Sequence, residues 1–306
     1  MQAASPPDID ALLARRDLAG LQAALRYDQD AGATGCAAAR ALGGCGDARA
    51  VPALWAAACA GEAPVRQAAL QALVQIGVPA VAPVAAELKA DHSGDRYDAG
   101  LEFFRQLGEP AVIPLLDLLE SPDSGLREQA AWGICALGGD PRAVEPLIAC
   151  LEDEADDVRA SAIVALYKCR DRRAAEPLVR QLQSQNYQVK LAALMVLPRF
   201  CDARATDALT EVLLHSRGEM ARMAAVNLGV TGDPRAVPVL CQALKHQEWA
   251  VRRAAAVALG DIGDARAVEP LVEALQDEYD VIARMAADAL GKIDRERLLS
   301  LMPEDL

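Results

Sequence analysis

Apolar positions in the stretch Val251 to Asp280, VRRAAAVALGDIGDARAVEPLVEALQDEYD, fall on two stripes of helical period. Val251, Ala255, Leu259 and Ile262 stand at i, i+4, i+8 and i+11, on one face of a helix. Gly263 ends that helix, because glycine takes the left-handed C-cap conformation without a Cβ penalty. Asp264 stands as the N-cap of the next helix, whose stripe is Val268, Leu271, Val272 and Leu275. Pro270 falls in its first turn, where the helical N–H groups have no intrahelical partner to lose. A lone pair of such helices cannot bury both stripes, whereas stacked pairs can.

The pattern recurs along the chain. The proline of the AV-x-P-L segment returns at Pro52, Pro83, Pro114, Pro146, Pro177, Pro238 and Pro270, with Ala208 in the place of one. Successive steps are 30 to 32 residues. This predicts an all-α fold, an α-α superhelix or solenoid of about nine two-helix repeats. The array spans residues 17–298 as a single domain, between an N-terminal tail and capping helix (1–16) and a C-terminal tail (299–306). Within the first segment, residues 1–7 are expected to be disordered and Asp8 to Arg16 to form the cap. Three places break the pattern. Asp91 to Asp98 reads as a longer polar loop ahead of Phe103 and Phe104. Gly138-Gly139 reads as a helix stop with one inserted residue. Pro198 sits inside a second helix and should end or kink it near Leu197, since proline removes a hydrogen bond and clashes with the preceding turn.

Composition narrows the function classes. The 306 residues carry a formal net charge of −13, which opposes a broad nucleic-acid footprint. Aromatic residues are only 4%, which fits closely packed, alanine-rich helices. No apolar run approaches the roughly 18 residues needed to cross a membrane. Met1 to Asp10 has neither the basic start nor the apolar core of a secretory signal. The eight cysteines are scattered without a C-x-x-C and read as reduced, structural thiols of a cytoplasmic protein. Cys45 and Cys169 take the repeat position of Ile76 and Ile262 and are expected in the core.

The pattern V-R-x-x-A-A-x-x-L-G-x-I-G-D-x-R-A-V-E-P-L resembles the short HEAT-like repeat first described in phycobilisome bilin lyases and shared by designed α-helical repeat proteins. The resemblance covers roughly residues 17–298 and implies a solenoid whose second helices line a concave face. It implies no single activity, because the repeat serves many unrelated proteins. One enzyme with HEAT-like repeats, deoxyhypusine hydroxylase, holds iron through His-Glu pairs, and this chain has no His-Glu dipeptide. Its three histidines, His92, His215 and His246, have no metal-site spacing. Phosphate-loop, G-x-S-x-G and dinucleotide fingerprints are missing as well, so no catalytic residue, metal or cofactor is assigned. The arginines Arg66, Arg127, Arg159 and Arg252 (with Lys190) and the aspartates Asp47, Asp140, Asp171, Asp202, Asp233 and Asp264 recur once per unit and read as a structural ladder.

Function is then sought where the repeats vary. On the second helix, Arg253, Ala254, Val257, Ala258 and Asp261 are expected to face solvent. The Val257 column reads Arg40, Gln71, Glu102, Trp132, Val164, Met195, Val226, Val257 and Asp288, apolar through five consecutive units. The Arg253 column passes from Asp98 and Glu128 through Ala160 and Leu191 to Arg222, Arg253 and Arg284. Either tight packing buries these columns, or they form a groove on the concave face. A groove would hold a protein or peptide through Phe103, Trp132, Val164, Met195, Val226 and Met223, with Arg222, Arg253 and Arg284 pairing acidic groups. The expected function is a non-catalytic interaction scaffold or adaptor, acting as a monomer or weak oligomer. The resemblance also allows a bilin lyase subunit or chromophore chaperone, with Arg222 and Arg253 near tetrapyrrole propionates. A DNA-binding HEAT-like protein is a third reading, which the net charge opposes.

Overall fold

The structure is a computed structural model describing residues 5–27, 31–90, 94–200 and 205–301. It is all-α, a helical repeat array: 20 α-helices joined by short turns and 3-10 segments, with no strand among the described residues. No single helix is long and apolar enough to cross a membrane. The chain forms two compact units, Met1–Cys169 and Arg170–Leu306.

One repeat of the second unit shows why the sequence folds this way. The helix Trp249–Ile262 buries Val251, Ala255 and Leu259 completely and stops at Gly263, whose φ is +75°. Asp264 caps the next segment, but its first turn is 3-10, Ala265–Ala267, and the α-helix Val268–Ala274 begins only after it. The cause is local. Asp264 Oδ1 accepts the Arg266 N–H at 2.8 Å, and the Arg266 guanidinium folds back onto the same carboxylate. Asp47 with Arg49, Asp140 with Arg142, Asp171 with Arg173 and Asp233 with Arg235 repeat the arrangement. Asp202 lies outside the described residues.

These caps make a pH prediction. The arginine side-chain hydrogen bond, and then its backbone N–H, hold Asp47, Asp171, Asp233 and Asp264 at a pKa of about 2. An unfolded aspartate titrates near ~3.9. A carboxyl depressed in the folded state contributes stability above its unfolded value and loses it as pH falls through the folded one. Carboxyl midpoints about 2 by carbon-13 NMR are therefore expected, with folded stability falling as the pH drops from about 4 to about 2. Midpoints at the unfolded value would remove the caps from the account.

Two of the recurring arginines, Arg127 and Arg252, tie a loop to the next repeat, whereas Arg159 bonds within its own loop, to the Asp153 carbonyl at 2.6 Å and to the Asp156 carboxylate. Arg252 is buried, donates to Asp277 through Nε (2.7 Å) and Nη2 (3.1 Å), and reaches back to the His246 carbonyl at 2.9 Å. In the first unit Arg127 does the same with Asp153 (2.6 and 2.8 Å) and the Ser121 carbonyl (2.8 Å). Burial pushes Asp153 up, but the Arg127 and Ala155 hydrogen bonds outweigh it and hold the carboxyl below its usual range.

Neighbouring second helices touch through their backbones. A Cβ on Gly229 would stand 2.8 Å from Ala258 Cα, and one on Gly260 2.8 Å from Ala289 Cβ. Ala258 is consequently buried, and Ala254 beside it is buried too, although both were expected to face solvent. Gly138 and Gly139 both have positive φ and end the helix Ser124–Ala136, as the doublet implied.

Other expectations meet mixed outcomes. Asp8 caps a short helix, Ile9–Ala14, where the N-terminal cap was placed. Of the residues expected to be disordered, 1–4 lie outside the described residues. The helix Tyr187–Val196 gives way to a 3-10 turn, Leu197–Arg199, which Pro198 accounts for. The polar loop assigned to Asp91–Asp98 is corrected: residues 91–93 lie outside the described residues, and a helix already runs from Gly94 to Leu107. Cys45 is exposed rather than in the core. Gly43 makes the helix contact there, its Cβ position 2.8 Å from Ala72 Cα, and Cys45 lies about 200° further round the helix. The last helix, Arg295–Leu301, crosses the expected boundary at 298.

Candidate functional site

Four second helices of the unit Arg170–Leu306 begin in register at Tyr187, Gly218, Trp249 and Asp280. Positions four apart on a helix share a face. That face is a lattice of four columns and four rows. The first row is Tyr187, Gly218, Trp249 and Asp280, all exposed. The second is Leu191, Arg222, Arg253 and Arg284, with the first two half-buried. The third is Met195, Val226, Val257 and Asp288, and the fourth Val230, Asp261 and Lys292, with Arg199 in the 3-10 turn that follows the first helix; all are exposed. Each helix turns its other stripe, such as Val251, Ala255 and Leu259, into the core.

The centre of this lattice is apolar and open. Met195 is 63% exposed, Val226 39%, Val257 38% and Val230 49%. A hollow of about 350 Å³ opens beside Val257, between Met285, Asp288, Ala289 and Lys292. Arg253 and Arg284 make no ion pair among the described residues. Arg222 is held by Glu219, with Nε to Oε2 at 2.8 Å, and that contact holds the Glu219 carboxyl below its usual range. Lys292 bridges to Asp261 on the preceding repeat at 2.8 Å. Met223 is half-buried one position from Arg222.

The upper edge is aromatic. Trp249 is 45% exposed and stacks on Tyr279, with ring centroids 6.2 Å apart at 26°. The Arg252 guanidinium lies 5.5 Å from the Tyr279 ring and stiffens the pair. Sequence reasoning missed Trp249, Tyr187 and Val230, although the signal was present. Trp249 stands four residues before Arg253, and Val230 four after Val226.

The first unit carries the remaining candidates. Trp132 and Val164 are half-buried on the second helices Ser124–Ala136 and Asp156–Cys169. Phe103 is corrected: it is fully buried, with its ring 5.3 Å from that of Phe104, and offers a partner nothing. Its neighbour Glu102 is the residue that the repeat register puts in the Val257 column, and one residue is about 100° of helix. Among the described residues no group of His, Cys, Asp or Glu is placed to hold a metal ion.

A family model for HEAT repeats matches residues 18–103, 112–197, 144–229, 175–246 and 206–291. The chain belongs to the HEAT-repeat family. Solved structures share the HEAT architecture at low identity. YibA of Escherichia coli is 17% identical with a TM-score of 0.57, covering 96% of this chain and 100% of that one. The crystal structure of an engineered protein is 20% identical with a TM-score of 0.52, covering 95% of this chain and 92% of that one. No curated protein matches the chain. These likenesses describe the fold of the HEAT array alone.

Proposed function

We propose that this HEAT array is a non-catalytic interaction scaffold that holds a protein partner on the second-helix face of the unit Arg170–Leu306. The observation that carries this is the exposed apolar ladder Met195, Val226, Val230 and Val257 beside the arginine row Arg222, Arg253 and Arg284. A face that meets only water gains nothing from a contiguous apolar patch, and such patches mark interaction surfaces. Arg253 and Arg284, without an ion pair among the described residues, favour a partner segment that carries carboxylates and set its orientation. The partner class is therefore a protein segment with apolar side chains flanked by acidic ones.

The test uses a photo-crosslinking amino acid at Val230 in the native host. Wild type is compared with Met195→Asp/Val226→Asp/Val257→Asp, whose substitutions are all at exposed sites and should leave the circular dichroism unchanged. A discrete crosslinked protein, lost in the triple variant, is the expected result. The same crosslinked species on both would sink the proposal.

A further inference from the structure

One junction between repeats lacks the arginine bridge and has a histidine in its place. Arg127 reaches Asp153, and Arg252 reaches Asp277. On the helix Gly218–Thr231 the arginine's position is taken by Ala221, and on the following loop the aspartate's position is taken by His246. We infer that His246 makes this junction a pH-sensitive latch, closed when the imidazole is neutral and opened by its protonation. The latch does not depend on what the neighbouring face binds.

In five loops the side chain at this position accepts the backbone N–H two residues on and so closes the turn before the second helix. Ser121 Oγ accepts from Asp123 at 3.2 Å, Asp153 Oδ1 from Ala155 at 2.9 Å, Ser184 Oγ from Asn186 at 3.2 Å and Asp277 Oδ1 from Tyr279 at 3.0 Å. At His246 the acceptor is Nδ1, 3.1 Å from the Glu248 nitrogen. Imidazole takes up its proton between about pH 5 and 8, a range in which a serine hydroxyl does not titrate and an aspartate is already ionised. An imidazolium carries N–H on both nitrogens and cannot accept. Protonation therefore sets donor against donor at this turn and leaves the other four as they are.

Glu248 carries the change across the junction. It is the N-cap of the helix Trp249–Ile262, yet its carboxylate caps the preceding helix instead: Oε1 accepts the Gly218 N–H at 2.9 Å. Gly218 opens the helix Gly218–Thr231, whose own N-cap, Arg217, supplies no side-chain hydrogen bond. The His246 carbonyl is held by Arg252 at 2.9 Å, so the backbone there is anchored and the ring must turn. The half-buried ring lines a hollow of about 500 Å³, which gives it room. The cations around it are Arg217, Lys245 and Arg252. Lys245 engages Glu273 and Arg252 engages Asp277, so Glu248 is the carboxylate within that hollow that an imidazolium can draw. Loss of the Glu248 N–H bond frees the residue that caps Gly218, and the new charge competes for its carboxylate. With alanine at 221, no arginine bridge backs up the link.

The test follows the Glu248 and Gly218 amides of the full chain by solvent-exchange NMR at about pH 8 and about pH 5.5, corrected for the intrinsic exchange rate. In wild type both should lose protection at the lower pH by roughly fivefold, the scale of one net hydrogen bond. His246→Ser keeps the kind of acceptor that Ser121 and Ser184 supply, and should stay protected at both pH values. His246→Ala has no acceptor and should be unprotected at both. The Tyr279 amide, closed by Asp277, is the internal control and should not change. A wild type that behaves like the serine variant, an alanine variant as protected as the serine one, or an equal loss at Tyr279 overturns the latch. Loss at Glu248 with Gly218 unchanged overturns it too, since the turn would then open without reaching the preceding repeat.

Discussion

Arg252→Ala is expected to destabilise the unit Arg170–Leu306 by about 3–5 kcal/mol, the range for breaking a buried ion pair from one side. Arg252 and Asp277 are both shielded from solvent, and Arg252 also binds the His246 and Gln247 carbonyls at 2.9 and 3.1 Å. Removing the guanidinium leaves the Asp277 carboxylate in its buried position without a counterion. It also releases the two loop carbonyls and the stacked support of Tyr279. The next residue provides the control. Arg253 is exposed and has no ion pair among the described residues, so Arg253→Ala should stay within about 0.5 kcal/mol. Urea titrations of the two variants, followed by far-ultraviolet circular dichroism, separate them. Equal midpoints would mean that the inter-repeat bridge contributes no more than a surface charge.

The glycine doublet gives the second large effect, in the unit Met1–Cys169. Gly138 and Gly139 have φ of +88° and +87°, so an alanine at either meets the left-handed penalty of about 1–2 kcal/mol. Their surroundings differ. A Cβ on Gly138 finds nothing within 4 Å, whereas one on Gly139 would stand 2.5 Å from Cys169 N and Lys168 C. Those are backbone atoms that no rotamer change can move, and overpacking of this kind adds about 1–3 kcal/mol. Gly139→Ala should therefore cost about 2–5 kcal/mol and Gly138→Ala only the backbone term. Comparable losses of denaturation midpoint for the two would show that the helix end moves aside without cost.

How much of the fold was legible in the sequence depends on the range of the interaction involved. The two-helix repeat, the glycine stops, the Asp264 cap and the break at Pro198 are set by residues within a few positions of one another. The 3-10 turns were not foreseen, because they depend on the Arg266 guanidinium folding back on Asp264, a side-chain geometry that no periodicity records. Arg253, Val257 and Asp261 face solvent as expected, while Ala254 and Ala258 do not. Ala258 closes on Gly229 of the preceding helix, and one helix's pattern does not say how near its neighbour comes. Phe103 failed for a smaller reason. The register puts Glu102 in the Val257 column, and Phe103 beside it lies about 100° further round the helix, in the core. Trp249 stands one turn before Arg253, outside the two columns that a comparison across repeats brings out.

The separation of stripes on each second helix has a consequence for how such a protein can change. The buried stripe is nearly uniform: Val189, Met220, Val251 and Ile282 hold one level of it. The exposed stripe of the same helices is heterogeneous, with Leu191, Arg222, Arg253 and Arg284 at one level. Residue choice on one stripe therefore makes little demand on the other. Surface exchanges on the exposed stripe leave the folding instructions untouched. In a chain built this way, the chemistry of the exposed face can drift quickly while the architecture stands still.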